Sequence, residues 1–135
     1  MDIRDIRDIS NLVRQTAFDI HAFHGNGHLE RVYGNALAHR LTRSGVRVVQ
    51  QHPIRVFDED GTLLGDYIAD LLAEQTLIVE LKAVRTLRPE HAAQMLAYLK
   101  STRIEHGLLI NFGSYRFEIR KFALNPARRR SIGSD

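Results

Sequence analysis

The stretch that decides the fold runs from residue 66 to residue 84 and reads DYIADLLAEQTLIVELKAV. It places three ionisable side chains, Asp70, Glu80 and Lys82, inside two otherwise apolar segments. Apolar residues on both faces are typical of a strand in the interior of a sheet. Because burying an unpaired charge is costly, charges persist in such strands where they are paired or bind something. The stretch therefore predicts a buried hairpin that carries a charged site.

Successive side chains of a strand alternate between its two faces, so Glu80 and Lys82 share one face and Leu81 takes the other. A hairpin that turns at residues 73–75 would bring Asp70 on its first strand near Glu80 on its second. Two carboxylates held together suit a hard divalent cation such as Mg²⁺ or Mn²⁺, and Lys82 could reach a water or phosphate oxygen beside it. We interpret the set as equipment for metal-assisted phosphodiester hydrolysis. The alternative is a salt-bridged Glu80–Lys82 pair on a solvated face of the sheet.

The rest of the chain supplies helices and further strands around this hairpin. Apolar residues at helical spacing predict helices over 8–24 and 29–44, and Pro89 is placed to start a third helix that ends near residue 101. Strands are predicted at 46–51, 54–57, 64–72, 76–84, 107–111 and 115–124, with Pro53 marking a bend or a sheet edge. The order helix–helix–strands–helix–strands predicts an α/β or α+β fold.

Composition bounds the class of protein. The 135 residues predict one domain over 1–125 followed by an Arg-rich tail at 126–135. Without that tail the chain has 16 basic and 15 acidic residues, so the net charge of +3 is weak evidence for a polyanionic partner. The absence of cysteine excludes disulfides and thiolate metal sites, and no apolar run approaches the roughly 18 residues that span a bilayer. We expect a cytoplasmic protein without a membrane partner.

Two motifs in the chain resemble known families. Asp70, nine intervening residues and Glu80-Leu81-Lys82 resemble the core of the PD-(D/E)XK nuclease superfamily. Residues 27–33, GHLERVY, match the Gly-x-x-Glu-x-x-Tyr signature of the bacterial GxxExxY proteins, and the stretches 69–72, 78–84 and 107–113 are similar to the same family. The similarity runs from about residue 9 to 124, with Gly34 in place of the acid expected after the tyrosine.

The resemblance implies a fold and a set of metal ligands. The fold would be restriction-endonuclease-like, with a mixed central sheet flanked by helices. Asp70 and Glu80 would ligate Mg²⁺ or Mn²⁺, with the backbone carbonyl of Leu81 as a further ligand. Glu30 would complete the acidic cluster directly or through water, although an acid in the first turn of a helix is favoured by the helix dipole in any case.

The resemblance also implies roles for three other residues. Lys82 would orient or deprotonate the attacking water and stabilise charge that develops on the phosphorane. Gln94 and Tyr98 lie four residues apart and resemble the Gln-x-x-x-Tyr element of RecB-like nucleases. Gln94 is the stronger catalytic candidate, because Tyr98 is equally well explained as a core or rim aromatic. The products would carry a 5′-phosphate and a 3′-hydroxyl.

The expected function is a metal-dependent nuclease that acts on nucleic acid, with DNA favoured over RNA. The alternative is a non-catalytic nucleic-acid-binding or assembly module that keeps the fold without turnover. Since a small and nearly neutral body covers little duplex, we predict a homodimer or an additional subunit. His21, His24 and His28 have the spacing of a helical zinc cluster, but Gly25 and Gly27 interrupt that helix, which favours packing or solvent-facing histidines.

Overall fold

The computed structural model describes residues 5–124. Its elements in chain order are α1 (Ile6–His24), α2 (Glu30–Arg43), β1 (Val48–Phe57), β2 (Leu63–Ala73), β3 (Leu77–Lys82), α3 (Pro89–Ser101), β4 (His106–Asn111) and β5 (Glu118–Ala123). This is the predicted order of helices and strands. The Arg-rich tail predicted at 126–135 lies outside the described residues, and the proposed boundary at residue 125 stays a prediction.

The strands of the described chain form one mixed sheet in the order β1-β2-β3-β4-β5. β3 and β4 pair in parallel, whereas the other neighbouring strands pair antiparallel. A parallel pair needs a crossover connection, and α3 supplies it between β3 and β4. The mixed sheet therefore follows from the placement of one helix within a run of strands.

The hairpin of the decisive stretch turns at residues 74–76, one residue later than the sequence predicts. Glu74 and Gln75 have positive φ angles of 51° and 59°, and Thr76 N donates to the carbonyl of Ala73 at 3.0 Å. The loop between the paired residues Ala73 and Leu77 thus has three residues, and such a tight turn fixes the register of the antiparallel pair. The turn thereby sets which residues of β2 and β3 face each other.

The first strand differs from the prediction. The segments predicted at 46–51 and 54–57 form one continuous strand, β1, in which Pro53 pairs with Ile68 of β2. β1 lies at the edge of the sheet. Proline has no N–H group to donate, and an edge strand tolerates this because only one of its sides is paired. Pro53 therefore marks an edge and not an interruption.

The sheet separates two apolar clusters. α1 and α2 pack on one face against Leu77, Val79 and Leu81 of β3. α3 packs on the other face, where Ile78 joins its cluster. By alternation, Glu80 and Lys82 extend from β3 towards the α3 face, and Leu81 extends towards α2.

Helical spacing predicts most of the buried face of each helix, with four exceptions. Phe23 at the end of α1 is 78% exposed, Leu29 before α2 is 69% exposed, Val32 in the first turn of α2 is 37% exposed and Leu96 of α3 is 41% exposed. All four have the spacing of core residues, but each lies at a helix end or on the border of the buried stripe. Within residues 5–124, no helix has both the length and the apolar character that crossing a membrane requires.

Candidate active site

The two carboxylates meet where β2 and β3 separate. The regular pairing of these strands ends at Leu71 and Val79, one residue before Asp70 and Glu80. Beyond that point, Asp70 N donates to Glu80 Oε1 at 2.8 Å, and Leu81 N donates to Asp70 Oδ2 at 2.7 Å. Each carboxylate thus takes the place of a backbone carbonyl in the ladder. The two acidic side chains span the opening between the strands and hold it in a defined geometry.

Each carboxylate uses one oxygen for this cross-strand bond. Within residues 5–124, Asp70 Oδ1 and Glu80 Oε2 have no hydrogen-bond partner. Glu80 is 4% exposed and Asp70 is half-buried. The opening therefore holds two acidic groups, each with a second oxygen that can accept from or coordinate a ligand.

Burial and mutual repulsion disfavour the charged forms of both acids. Burial, together with the nearby charges of Asp70 and Glu30, raises the pKa of Glu80 to about 8, against the opposing effects of the Asp70 N–H and Lys82. Burial also raises the pKa of Asp70, although the Leu81 N–H and Lys82 act in the opposite direction. Without a bound cation, the raised pKa lets Glu80 keep its proton up to about pH 8, which avoids two adjacent buried negative charges.

Lys82 is half-buried and lies near the acids without pairing with them. Between described residues, the only ion pair within 4.0 Å joins Arg7 to Asp5. The Glu80–Lys82 salt bridge considered as the alternative is therefore not formed. Lys82 is still close enough to lower the pKa values of Asp70 and Glu80, so its ammonium group lies beside the opening and is available to another anion.

Glu30 approaches from the helix side. It is the first residue of α2 and, with Asp70 and Leu81, lines a cleft of about 410 Å³ between α2 and the strands β1, β2 and β3. Partial loss of hydration and the charge of Asp70 raise the pKa of Glu30, while Lys82 and His91 oppose this. The cleft is also lined by Arg31, Gly34, Asn35, Gln50, Gln51 and Leu71.

The sequence prediction missed the glutamines of this cleft. Gln50 pairs with Leu71 and His52 pairs with Ala69, so Gln51 lies across the ladder from Asp70. Gln51 has a φ angle of 55°, in the left-handed region that a residue with a side chain seldom adopts. Two consecutive glutamines in an apolar strand were the available signal, but only the register of β1 on β2 places them at the carboxylates.

Helix α3 closes the opposite side of the opening. Tyr98 is 5% exposed, and its burial and the charges of Glu80 and Asp70 raise its pKa to about 12. Its ring lies 5.6 Å from that of Tyr67. Gln94 is half-buried one turn earlier on the same face and makes no hydrogen bond to another described residue. The structure thus places Tyr98 next to the acids, with Gln94 adjoining it.

The oxygen atoms at the opening supply some, but not all, of the ligands that a hard divalent cation requires. Among residues 5–124, no three His, Asp or Glu side chains come close enough together to hold a metal ion by themselves. Glu30 therefore does not close a three-carboxylate site with Asp70 and Glu80, because it stands at the exposed mouth of the cleft. Two carboxylates without a counter-cation, together with the carbonyl of Leu81, are oxygen donors of the kind that Mg²⁺ and Mn²⁺ prefer.

The three histidines near the end of α1 do not form a metal site. α1 ends at His24, and Gly25 follows with a φ angle of 71°. His21 Nε2 lies 2.9 Å from the carbonyl oxygen of Ser114, while the rings of His24 and His28 contact each other edge-to-face at 5.8 Å. The helix therefore ends between His24 and His28, and the three histidines do not share one continuous helical face.

Comparison with known proteins identifies the superfamily. The family model of the PD-(D/E)XK nuclease superfamily matches residues 7–122, a span that includes every candidate catalytic residue. The chain belongs to this superfamily. Its mixed sheet with helices on both faces confirms the restriction-endonuclease-like fold. No curated protein matches the sequence.

Solved structures agree with this superfamily fold. The crystal structure of SSO0001 is similar at a TM-score of 0.56 and 17% identity, over 78% of this chain and 55% of that one. The chain thus spans just over half the length of that protein. An alkaline exonuclease (LHK-Exo) from Laribacter hongkongensis is similar at a TM-score of 0.52 and 13% identity, over 98% of this chain and 77% of the exonuclease. At these identities the likeness concerns the fold alone.

Proposed function

We propose that the protein is a metal-dependent nuclease that hydrolyses phosphodiester bonds of nucleic acid. The observation that carries this proposal is the pair of reciprocal bonds by which Asp70 and Glu80 hold β2 and β3 apart. A structural role alone would favour backbone pairing at these positions, because it avoids burying two like charges. The arrangement is explained if the opening receives a cation and a phosphate.

The roles of the residues follow from their positions. Asp70, Glu80 and the Leu81 carbonyl would hold Mg²⁺ or Mn²⁺, and Glu30 would contribute through water from the mouth of the cleft. A bound divalent ion lowers the pKa of water and neutralises charge on the phosphoryl oxygens. Lys82 orients the attacking water and donates to a phosphate oxygen, since no carboxylate of the described chain engages its ammonium group within 4.0 Å.

The α3 side supplies positioning groups. Gln94 has an amide without a partner in the described chain, and it can hold a substrate phosphate or the attacking water by hydrogen bonds. Tyr98 is buried on this side of the opening, and its position would limit the access of water to Glu80. Four further parts of this proposal rest on the sequence. DNA as the preferred substrate and membership of the bacterial GxxExxY family rest on the resemblance, a homodimer rests on the small and nearly neutral body, and a cytoplasmic location rests on composition.

Cleavage assays test the proposal directly. Labelled single-stranded, duplex and branched DNA, and RNA, are incubated with the protein in Mn²⁺, in Mg²⁺ and in EDTA. We expect cleavage only with a divalent ion, and a loss of at least about 100-fold in Asp70→Asn and in Lys82→Met. Glu59→Gln, which changes an exposed acid in the β1–β2 turn, serves as the matched control and should cut normally.

Two results would contradict the proposal. Cleavage that persists in EDTA or in Asp70→Asn would remove the metal mechanism. Salt-dependent binding of nucleic acid without cleavage, and unaffected by Lys82→Met, would favour the non-catalytic module instead.

A further inference from the structure

A row of aromatic and imidazole rings runs from the protein surface to the N-terminal end of α2. The ring of Phe23 contacts that of His24 with centroids 4.8 Å apart, and His24 contacts His28 at 5.8 Å. His28 in turn contacts Tyr33 at 5.7 Å. Phe23 is 78% exposed and both histidines are exposed, whereas Tyr33 is fully buried. The rings of Phe23, His24 and His28 therefore form an exposed surface, which we call the ring surface, and its innermost ring, His28, packs on the buried ring of Tyr33.

Two of the three rings, Phe23 and His24, lie on the last turn of α1, and the loop that carries the third, His28, is held firmly. The Tyr33 hydroxyl donates to the carbonyl of Gly25 at 2.6 Å and accepts from His28 N at 3.1 Å. The Tyr33 ring stacks on Phe112 at 4.5 Å with an interplanar angle of 7°. Exposed rings on a helix end, and on a loop fixed by part-buried hydrogen bonds, are ordered before any ligand arrives, so little entropy is lost on binding.

The ring surface lies at the N-terminal end of α2, the helix that brings Glu30 to the candidate active site. His28 precedes Glu30 by two residues, and Glu30 lines the cleft together with Asp70. Arg31, the next residue, also lines that cleft and provides a cation. A nucleic-acid strand whose phosphate lies in the cleft would therefore carry its neighbouring bases past His28 and towards Phe23.

We propose that the ring surface stacks unpaired bases, and that the substrate is a single-stranded or frayed nucleic-acid strand. This inference rests on the proposed nuclease function and specifies its substrate. Bases stack on aromatic side chains whatever their sequence, and such stacking is strong only where the bases are unpaired. In a duplex the bases are already stacked and present only phosphates and groove edges to such a surface.

The chain contains no tryptophan, so a single introduced tryptophan reports binding by its fluorescence without a background from other indoles. Phe23→Trp introduces a single indole at the outer end of the ring surface. In EDTA, which prevents metal-dependent cleavage, a single-stranded 20-mer of DNA should quench the fluorescence of this variant at concentrations where a blunt 20-bp duplex does not. The same strand should bind the unsubstituted protein more tightly than the duplex, as measured by anisotropy of a labelled oligonucleotide.

A double variant measures the contribution of the rings. Phe23→Ala with His28→Ala should weaken binding of the single strand at least tenfold and change duplex binding less than threefold. Phe57→Ala is the matched control, because Phe57 is 56% exposed at the far end of β1. Both substituted residues are exposed, and far-ultraviolet circular dichroism confirms that the variants keep the fold.

The outcomes separate this inference from the proposed function. Single-strand affinity that is unchanged in the double variant, or quenching equal for strand and duplex, overturns the ring surface as a base-binding site. If cleavage with Mn²⁺ persists in that case, the nuclease function stands without the ring surface. A dimer that dissociates in Phe23→Ala would make this face an interface between two copies of the chain, and that result also overturns the inference.

Discussion

Replacing Glu80 by Gln should stabilise the metal-free protein, although the change removes a candidate metal ligand. Gln keeps an Oε1 that can accept from Asp70 N, the cross-strand bond that Glu80 makes at 2.8 Å. Its amide group can donate towards Asp70, where the native side chain brings a second negative charge. The substitution therefore removes a buried repulsion and preserves the geometry of the opening.

The magnitude follows from the pKa of Glu80, which burial and the charge of Asp70 raise from 4.5 to about 8. Each pKa unit corresponds to about 1.4 kcal/mol, so the charged form costs at most about 5 kcal/mol of stability at high pH. Water that enters the opening between β2 and β3 reduces this cost. We expect Glu80→Gln to raise the free energy of unfolding by about 2–4 kcal/mol at pH 8.5.

The pH dependence has a definite sign. Between pH 4.5 and about 8 the folded protein keeps the Glu80 proton, whereas the unfolded chain has lost it. Stability therefore falls as the pH rises through this window, and the loss is complete above the folded pKa. In Glu80→Gln this part of the decline should be absent, so the two proteins differ little at pH 4.5 and most at pH 8.5.

Urea denaturation in EDTA, followed by circular dichroism at pH 4.5, 6.5 and 8.5, measures the effect. Glu59→Gln removes an exposed acid and should stay within about 0.5 kcal/mol of the native protein at each pH. The reasoning is refuted if Glu80→Gln is less stable than the native protein at pH 8.5, or if both show the same pH dependence.

Three further predictions concern the surroundings of the carboxylates. Lys82→Met should abolish cleavage yet change the free energy of unfolding by less than about 1 kcal/mol, because Lys82 makes no ion pair with a described residue. Cleavage assays and urea denaturation of this variant test both expectations, and a large loss of stability would show that Lys82 has a structural role instead. Tyr33→Phe should lower the free energy of unfolding by about 1–3 kcal/mol, because it removes the hydroxyl that donates to the carbonyl of Gly25 and accepts from His28 N. An unchanged urea midpoint would show that these two hydrogen bonds do not stabilise the fold. Gly113→Ala should lower the free energy of unfolding by about 3 kcal/mol or more, because an added Cβ would clash with the backbone of Val84 just after β3. A melting temperature equal to that of the native protein would contradict the close approach of Gly113 to Val84.

Local patterns in the sequence account for the element order and for the convergence of the two acids. Alternation along β3 and a turn near residues 73–75 suffice to bring Asp70 near Glu80 in one hairpin. The exact register does not follow from that predicted turn, which would place Ile78 opposite Asp70; it follows from the observed loop at residues 74–76, which pairs Ala73 with Leu77. This part of the site lies within one hairpin, so it could be predicted.

Features that depend on packing between distant elements could not be predicted. Gln51 reaches the site only because β1 pairs with β2 in one particular register. Phe23 has the spacing of a core residue, yet it lies beyond the end of the sheet-covered part of α1 and is exposed. Tyr98 is buried beside the acids because α3 packs on the sheet face from which Glu80 extends, and helical periodicity alone does not fix that placement.

The central claim is that the opening between β2 and β3 binds a divalent cation. Crystals soaked in Mn²⁺ and measured at the manganese edge test it most directly. The account predicts an anomalous peak within coordinating distance of both Asp70 and Glu80, and its loss in Asp70→Asn. An ordered opening without such a peak at millimolar Mn²⁺, or a peak that persists in Asp70→Asn, would contradict it.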